Sequence, residues 1–362
     1  MGRPLKENRE CASLVSRVAR VRRSEELPVG LVRHVQPGVY RAGQENATMR
    51  SSKRRIVWPD GKDFAFTVFD DTDLATIANV KPVYDLLAEQ GILTTKSVWP
   101  LRDPRDDRRG EGMDCEDPEY LEWVLGLKAS GFEIGLHTVA SGGSRRDRTI
   151  EGIERFRSLF GTEPITYSTH MSNPEGIYFG PARLSGLRRA FYELYARKRH
   201  RMRFRGHIEG DEFFWGDICR SYVKYVRNFV FADINTLGEC PEMPYHDPSK
   251  PYVNYWFASS EGQTVDSFVS TISEANQDRL AEAGGACIMY THLAVGFNRG
   301  NQLDARFERL IRRLARMNGW FVPVRTFLDF LLETKGPHEL SPGERRRLEW
   351  RWLWHKARVG RT

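Results

Sequence analysis

The central part of the chain, from about residue 56 to 335, alternates short apolar runs with amphipathic stretches. Short apolar runs indicate buried strands, whereas apolar residues at helical spacing indicate amphipathic helices. The predicted strands lie at 64–69, 92–99, 132–137, 164–170, 229–234, 286–291 and 320–324. Because helical stretches separate most of them, the pattern predicts a parallel sheet with helices outside it, either an open doubly wound sheet or a closed barrel.

The first predicted helix begins near Pro82, a residue that is tolerated in a first helical turn, and ends at Gly91. Further helices are predicted at 121–131, 150–160, 268–283 and 304–317, with a last one ending near 332. The stretch from about 175 to 265 is less regular. We therefore divide the chain into a basic N-terminal extension at 1–55, a core at 56–335 and a basic, tryptophan-rich C-terminal tail at 336–362.

The chain has 362 residues, of which 40% are apolar and 12% aromatic, the composition of a globular protein. Its net charge of +7 predicts acidic partners, although much of the excess lies in the terminal segments. In the tail, Leu348, Trp352, His355 and Val359 recur at helical spacing. A basic, tryptophan-rich helix of this kind is typical of peripheral contact with an anionic membrane, and equally of a helix docked on its own barrel. With no nucleic-acid recognition motif, we expect no nucleic-acid partner.

The five cysteines are scattered and form no Cys-x-x-Cys pair. This argues against a disulfide framework and a cysteine zinc site, and it favours a reducing compartment. No stretch has the pattern of a signal peptide or of a membrane span. We therefore expect a cytoplasmic protein.

Polar side chains follow four of the predicted strands, at the point where each strand ends. Asp70 and Asp71 follow the first strand, and His137, His170 and His292 close three others. The carboxyl ends of parallel strands meet on one face of an α/β fold, so these side chains are expected to lie together. Imidazole nitrogens and carboxylate oxygens suit a catalytic zinc ion, and cobalt, nickel, manganese or iron would accept the same donors.

Three stretches resemble the motifs of the NodB-type polysaccharide deacetylases. FDDTD at 69–73 is similar to their first motif, GFEIGLHT at 131–138 to their second, and IMYTHL at 288–293 to their last. The resemblance covers roughly residues 60–332. It implies an irregular (β/α)7 barrel, with Asp70 as general base, Asp71 and His137 as metal ligands and His292 as general acid.

Two departures from the family pattern concern the same site. Ser141 stands where the family has its second metal-binding histidine, and the arginine and Pro-Pro-Tyr of the third motif are absent from the stretch 168–173. We expect His170 to supply the missing ligand from the adjacent strand, with Asn173 lining the pocket. Asp73 either orients a ligand or caps the following helix.

The irregular middle region carries polar and aromatic residues that suit a sugar pocket, by stacking and by hydrogen bonding. The candidates for substrate binding there are Arg205, His207, Trp215 and His246. His246 and Asp247 are also an alternative metal pair. Surface loops would show the same composition.

The chain is therefore expected to be a metal-dependent hydrolase that removes an N-acetyl group from an amino sugar. A lipid-linked or nucleotide-linked precursor of a surface glycan or polysaccharide would fit the basic tails and the cytoplasmic location. The alternatives are a C–N hydrolase acting on a non-sugar amide and a carbohydrate-binding barrel without turnover.

Overall fold

The computed structural model of the chain describes residues 56–104, 112–196 and 203–359. The predicted extension at 1–55 lies outside them. The strands are β1 (Phe64–Asp70), β2 (Thr95–Val98), β3 (Glu133–Leu136), β4 (Thr166–Tyr167), β5 (Tyr225–Phe231), β6 (Tyr245–His246), β7 (Tyr255–Gly262), β8 (Ala286–Thr291), β9 (Asn298–Arg299), β10 (Gln302–Leu303), β11 (Gly319–Trp320) and β12 (His338–Glu339).

Seven of these strands form a closed parallel ring, in the order β1, β2, β3, β4, β5, β7 and β8. The ring closes because β8 pairs with β1 along its length, from Ala65 opposite Ala286 to Asp70 opposite Thr291. The remaining short strands extend the ring at its margins or form a hairpin. The predicted (β/α)7 barrel is confirmed, and the open sheet is excluded.

Helices surround the ring, because every crossover between parallel strands must return the chain to the same end of the sheet. They are α1 (Ile77–Glu89), α2 (Pro118–Ala129), α3 (Arg146–Phe160), α4 (Gly186–Ala196), α5 (Gly216–Tyr222), α6 (Thr236–Glu239), α7 (Val265–Thr271), α8 (Glu274–Glu282), α9 (Ala305–Arg316), α10 (Val324–Lys335) and α11 (Pro342–Val359). Among the residues placed by the structure, no helix is long and apolar enough to cross a membrane.

The first helix begins earlier than the sequence pattern predicts. Thr76 and Asn79 form a reciprocal capping box, so α1 begins at Ile77 and Pro82 lies inside it. A proline inside a helix leaves the carbonyl four residues earlier without its usual donor. That carbonyl, on Ala78, accepts a hydrogen bond from Asn298 Nδ2 at 2.9 Å instead. The side chain of Asn298, on β9, thus compensates for the proline.

One predicted strand is wrong, and one strand of the ring was not predicted. The stretch 320–324 was expected to form a strand of the sheet, but only Gly319–Trp320 pairs, outside the ring, and Pro323 directly precedes α10. The seventh strand of the ring is instead β7, within the region that appeared irregular. β7 contains the polar residues Ser259, Ser260 and Glu261, all of which are buried. Because these residues interrupt the apolar run, the sequence lacks the pattern that marks a buried strand.

The C-terminal helix packs on the side of the barrel. Leu348 and Trp352 on its inner face are almost fully buried. Glu349, also buried, accepts a hydrogen bond from Ser185 Oγ at 3.0 Å and forms an ion pair with Arg188 at 2.5 Å, which joins α11 to α4. The predicted tail therefore contains a helix docked on its own barrel, and only its outer face is available to other partners.

Candidate metal centre

A cavity of about 430 Å³ opens among the carboxyl ends of the ring strands. The polar residues that line it come from the strand ends and from the loops that follow them. They include Asp71, Asp73, His137, His170, His292, Arg183, Arg227 and Tyr290. The strand ends singled out in the sequence therefore do meet at one place, with the exception of Asp70.

The centre of the cavity is Asp73, which is approached by three imidazole rings. Its Oδ1 lies 2.7 Å from His170 Nε2, and its Oδ2 lies 2.9 Å from His137 Nε2 and 3.1 Å from His292 Nε2. Two alternative roles are predicted for Asp73, orienting a ligand or capping α1, and helix capping is excluded because Thr76 caps α1. The Asp73 carboxylate is therefore available to contact the three histidines.

The other nitrogen of His170 fixes which tautomer the neutral ring adopts. Its Nδ1 faces Asn173 Oδ1 at 2.8 Å and the Ser141 carbonyl at 3.0 Å, both of which only accept hydrogen bonds. The amide of Asn173 is oriented by its Nδ2, which donates to Ala140 O and to Glu175 Oε1. Nδ1 of His170 therefore carries a proton, and in the neutral ring Nε2 presents a lone pair to Asp73.

His137 and His292 are held in the same way. Ser168 Oγ donates to Asp71 Oδ1 at 2.8 Å, so it accepts from His137 Nδ1 at 2.7 Å. His292 Nδ1 faces the Gln263 carbonyl at 3.2 Å. Each of the three rings is therefore protonated at Nδ1 and directs Nε2 toward the carboxylate. Such a partner at the far nitrogen is what orients metal-binding histidines.

This donor set fits a divalent metal ion. Three neutral imidazoles would turn lone pairs toward a carboxylate oxygen, and like partial charges at such distances repel. The arrangement therefore requires either added protons or a cation. The ligand atoms of Asp73, His137 and His170 all lie within 4.8 Å of one another, and so do those of Asp71, Asp73 and His292.

In the absence of a metal, protons would supply the positive charge. Burial lowers the pKa of His170, but Asp73 outweighs that effect and raises the pKa to about 9. Burial likewise opposes the raised pKa of His292, which Asp73 and Asp71 cause. Burial would raise the pKa of Asp73 itself, yet the neighbouring histidines hold it well below its usual range. The centre thus attracts cations strongly.

Asp71 lies beside this centre and has its own permanent cation. Arg227, inside β5, donates from Nη1 to Asp71 Oδ1 at 2.9 Å and from Nη2 to Oδ2 at 2.5 Å. Burial would raise the pKa of Asp71, but Arg227 and His137 lower it. Asp71 was expected to be a metal ligand. The structure instead gives it a bidentate arginine, and places His137 Nδ1 3.7 Å from its Oδ1.

Asp70 points away from the cavity. Its Oδ2 forms an ion pair with Lys96 Nζ at 2.9 Å and accepts a hydrogen bond from the Tyr84 hydroxyl at 3.0 Å, and its Oδ1 accepts from the Leu293 N–H at 2.8 Å. Asp70 and Lys96 are both fully buried. A general base must reach the water that it deprotonates. The expectation that Asp70 is the base is therefore corrected: Asp70 joins strands inside the barrel.

The backbone is strained directly after two of the site residues. Leu74, which follows Asp73, has a φ of 61°, and Thr138, which follows His137, has a φ of 58°. Side chains other than glycine rarely adopt this left-handed region, least of all β-branched ones. The Thr138 hydroxyl donates to the Ala140 carbonyl at 2.9 Å, which helps to hold this turn. Strain of this kind accumulates at functional sites.

The residues expected to bind substrate lie elsewhere, as does the alternative metal pair. Trp215 is buried and donates to the Glu175 carbonyl at 2.6 Å, His207 stacks on Tyr178, and Arg205 pairs with Asp211. His246, on β6, turns Nδ1 toward the backbone carbonyls of Val253 and Asn254, and Asp247 pairs with Lys250 and Arg345. Asn173 is close to the centre, but it orients His170 and does not line the cavity.

Two charged cavity residues were missed in the sequence, Arg227 and Arg183. Arg227 interrupts the apolar strand YVRNFVF, and a charged residue in a buried strand is a signal that could have been noticed. The predicted strand began at residue 229, which left Arg227 outside it. Arg183 lies in the single helical turn Gly180–Arg183, and nothing in its local sequence marks it.

The chain matches no protein-family model and no curated protein. It is similar in structure to a protein from Mycobacterium smegmatis described as a polysaccharide deacetylase, with 12% identity, coverage of 79% of this chain and 96% of that chain, and a TM-score of 0.47. It is also similar to Puue allantoinase, with 13% identity, coverage of 76% and 93%, and a TM-score of 0.45. A third is peptidoglycan deacetylase PdaC from Bacillus subtilis, with 13% identity, coverage of 82% and 100%, and a TM-score of 0.36. The family that the motifs resemble is thus represented among these structures, but at such low similarity they assign no activity.

Proposed function

We propose that the chain is a metal-dependent hydrolase that removes an N-acetyl group from an amino sugar in a surface-glycan or polysaccharide precursor in the cytoplasm. The observation that carries the proposal is the convergence of three Nε2 atoms on Asp73, in the same cavity as the ion-paired carboxylate of Asp71. The motif resemblance points to the same chemistry. The four described cysteines are buried free thiols, which suits a reducing compartment.

Asp73, His137 and His170 would hold the ion. One carboxylate and two imidazoles with an open position are a donor set of catalytic zinc, and cobalt, nickel, manganese or iron accept the same atoms. When bound, the ion would polarise the acetyl carbonyl and lower the pKa of a water molecule to about 7. This assignment moves the carboxylate ligand from Asp71 to Asp73 and keeps His137 and His170 as the sequence predicted.

Asp71 is proposed as the general base. A carboxylate offers about four lone pairs. Arg227 occupies two of them and Ser168 a third, which leaves one lone pair on Oδ2. Asp71 also lines the cavity, as Asp70 does not. Arg227 keeps Asp71 ionised and fixed in direction, so that its free lone pair can take the proton of the attacking water.

His292 is proposed as the general acid. Burial opposes its protonation, but Asp73 and Asp71 raise its pKa, which favours a proton on Nε2. When the amide C–N bond breaks, that proton can pass to the departing amine. Water thus adds its hydroxyl group to the acetyl carbon while its proton goes to Asp71. The products are acetate and the free amino sugar.

Acetate release from N-acetylhexosamine substrates tests this proposal. We expect Asp71→Asn to lower kcat by about a hundredfold or more while bound metal is retained, because only the base is removed. Asp266→Asn, at a side chain that is 78% exposed, is the matched control and should leave kcat unchanged. Full activity in Asp71→Asn would refute the base assignment. Cleavage of simple amides alone would favour the non-sugar C–N hydrolase, and sugar binding without acetate would favour the binding barrel.

We also propose that the outer face of α11 contacts an anionic membrane. Trp350 and Trp354 are 52% and 62% exposed there, and Arg358 lies 4.9 Å over the Trp354 ring. The arginines around a shallow groove on this face are Arg346, Arg347 and Arg351. Interleaved tryptophan and arginine suit the boundary between anionic headgroups and acyl chains. The neighbouring helix α4 adds exposed apolar side chains: Leu187, Phe191 and Leu194.

Vesicle co-sedimentation tests this surface. The full chain should pellet with phosphatidylcholine vesicles that contain phosphatidylglycerol, more weakly with phosphatidylcholine alone, and less as salt rises. The double variant Trp350→Ala/Trp354→Ala should lose most of this binding. Leu125→Ala, at a partly exposed apolar residue on α2, is the control. Undiminished binding of the double variant would contradict the proposal.

A further inference from the structure

Arg183 faces the same cavity as Asp73, but it has no acidic partner in the described part of the chain. No carboxylate oxygen there lies within 4.0 Å of its guanidinium, and no described group accepts a hydrogen bond from it. Its guanidinium instead lies 3.8 Å from the centre of the Phe179 ring. Arg183 is partly buried, and charges that are largely removed from water are normally paired. An arginine that lines a cavity without such a partner is therefore available to a ligand.

A second cation lies close to Arg183. Lys356 of α11 is 7% exposed and likewise has no carboxylate within 4.0 Å among the residues that the structure describes. Arg183 and Lys356 lie 5.9 Å and 5.7 Å from the centre of the same Trp352 ring. Glu261 acts on Lys356 only at longer range. Both cations thus lie against the Trp352 ring, and of the two Arg183 lines the cavity.

The electrostatics of this region call for an anion. Burial lowers the pKa of Lys356 to about 8, and the charge of Arg183 contributes in the same direction. Burial also lowers the pKa of Arg183 to about 10, with Arg227 adding to the effect. Contacts with aromatic rings offset part of the penalty for burying a cation, but they do not relieve repulsion between cations. A bound anion relieves both.

We propose that Arg183 binds an anionic group of the substrate, a phosphate or a carboxylate, and that Lys356 strengthens this subsite by its charge. The proposal rests on the proposed function, because it names the class of amino sugar that the same cavity takes. The acetamido group would lie at Asp73 and the anionic substituent at Arg183. A cavity of about 430 Å³ is within the size range of small-molecule sites. An arginine can bind either a phosphate or a carboxylate, because its planar guanidinium can donate two parallel hydrogen bonds to two oxygens of such a group.

Calorimetric titration of the full chain tests the subsite without any turnover. The probes are N-acetylglucosamine 1-phosphate, N-acetylglucosaminuronic acid and neutral N-acetylglucosamine. We expect an anionic sugar to bind at least about tenfold more tightly than the neutral one, and Arg183→Gln to remove about ten- to a hundredfold of that affinity. The better of the two anionic probes identifies phosphate or carboxylate as the group. Equal binding of charged and neutral sugars would overturn the proposal.

Two further variants separate the subsite from general effects. Arg183→Lys keeps the charge and should retain part of the affinity, and Lys356→Gln should weaken anion binding less than Arg183→Gln does. Arg309→Gln, at a side chain that is 68% exposed, should change nothing. If Arg309→Gln weakened binding as much as Arg183→Gln, the attraction would come from net charge and the subsite would be refuted.

Thermal unfolding gives a readout that does not depend on activity. In buffer free of multivalent anions, Arg183→Gln should keep or raise Tm, because a partly buried cation without a carboxylate partner has been removed. N-acetylglucosamine 1-phosphate should raise the Tm of the wild type but not that of the variant. A lower Tm of the variant, with equal stabilisation of both proteins, would mean that Arg183 is structural. Absence of acetate release together with Arg183-dependent binding would refute the proposed function and leave the subsite standing.

Discussion

Asp70 and Asp73 belong to the same short stretch of chain, yet the groups around them differ. Asp70 has a lysine as a permanent cationic partner, whereas Asp73 has only histidines among the residues that the structure places. Asp70 lies inside the barrel, where Lys96, the Tyr84 hydroxyl and the Leu293 N–H together satisfy it. Asp73 lies in the cavity and faces three imidazole Nε2 atoms, which in the neutral rings carry lone pairs because the ring protons are held at Nδ1. Asp70 is thus paired with a permanent cation, Lys96. Asp73 is surrounded by imidazole nitrogens, which become a cationic environment only when a proton or a metal ion is added.

This contrast separates a structural charge from a binding site. A buried carboxylate with a lysine of its own has no need of a ligand, and the surrounding strands are fixed by the pair. A buried carboxylate that meets only rings with lone pairs is stable when a proton or a metal ion joins it. The chemistry of a carboxylate cluster is therefore decided by its partners rather than by the number of acidic residues.

The largest effect on stability is expected inside the barrel. Lys96→Met leaves Asp70 buried without its cation, and breaking a fully buried pair in this way lowers the free energy of unfolding by about 3–5 kcal/mol. The double variant Asp70→Leu/Lys96→Met removes both charges and should recover most of that loss. Urea denaturation measures the free energy of unfolding of the wild type, Lys96→Met and the double variant. A double variant that is no more stable than Lys96→Met would show that the unpaired charge of Asp70 is not the cause of the loss.

A smaller effect is expected at the metal-free centre, and it depends on pH. The pKa of His170 is raised to about 9 in the folded protein, above its ordinary value of 6.5. The stabilisation is therefore complete below about pH 6.5 and is lost as pH rises through about 9, by at most about 3 kcal/mol. Denaturation of the metal-stripped protein between these pH values measures the change. It should vanish in Asp73→Asn and persist in Asp70→Leu/Lys96→Met, and a persistent slope in Asp73→Asn would contradict the account.

The smallest effect is expected for an exposed pair of the same residue types. Lys81 and Asp85 on α1 are 2.7 Å apart, but their side chains are 49% and 59% exposed. Such a pair contributes about 0.5 kcal/mol or less, because water screens it. Asp85→Asn should thus change the free energy of unfolding far less than Lys96→Met does. A loss of similar size would mean that burial is not what distinguishes the two pairs.

Much of the barrel could be predicted from the sequence, because most of its strands lie in apolar runs and its helices are amphipathic. Prediction failed for β7, where buried polar residues interrupt the apolar run, and at α1, where a distant side chain compensates for a local rule. Asn298 supplies the hydrogen bond that allows Pro82 to lie inside α1, and no local pattern reveals that. The strand–helix pattern alone could not distinguish a closed ring from an open sheet; the resemblance of the motifs implied the barrel, and the pairing of β8 with β1 confirms it.

The histidines of the centre could be predicted because each follows a strand, and strand ends converge. The carboxylates could not be assigned in the same way, because their directions differ although their positions nearly coincide. Asp70 is the last residue of β1 and turns inward to Lys96, whereas Asp71 turns to Arg227, a residue far along the chain. Sequence spacing places such groups near one another, but it does not decide which of them faces the cavity.

The most direct test of the account is the metal content of the purified chain, by elemental analysis, for the wild type, Asp73→Asn and Asp71→Asn. We predict about one divalent ion per chain in the wild type and in Asp71→Asn, and little or none in Asp73→Asn. The reverse result, with metal retained in Asp73→Asn and lost in Asp71→Asn, would restore Asp71 as the ligand and contradict the centre described here.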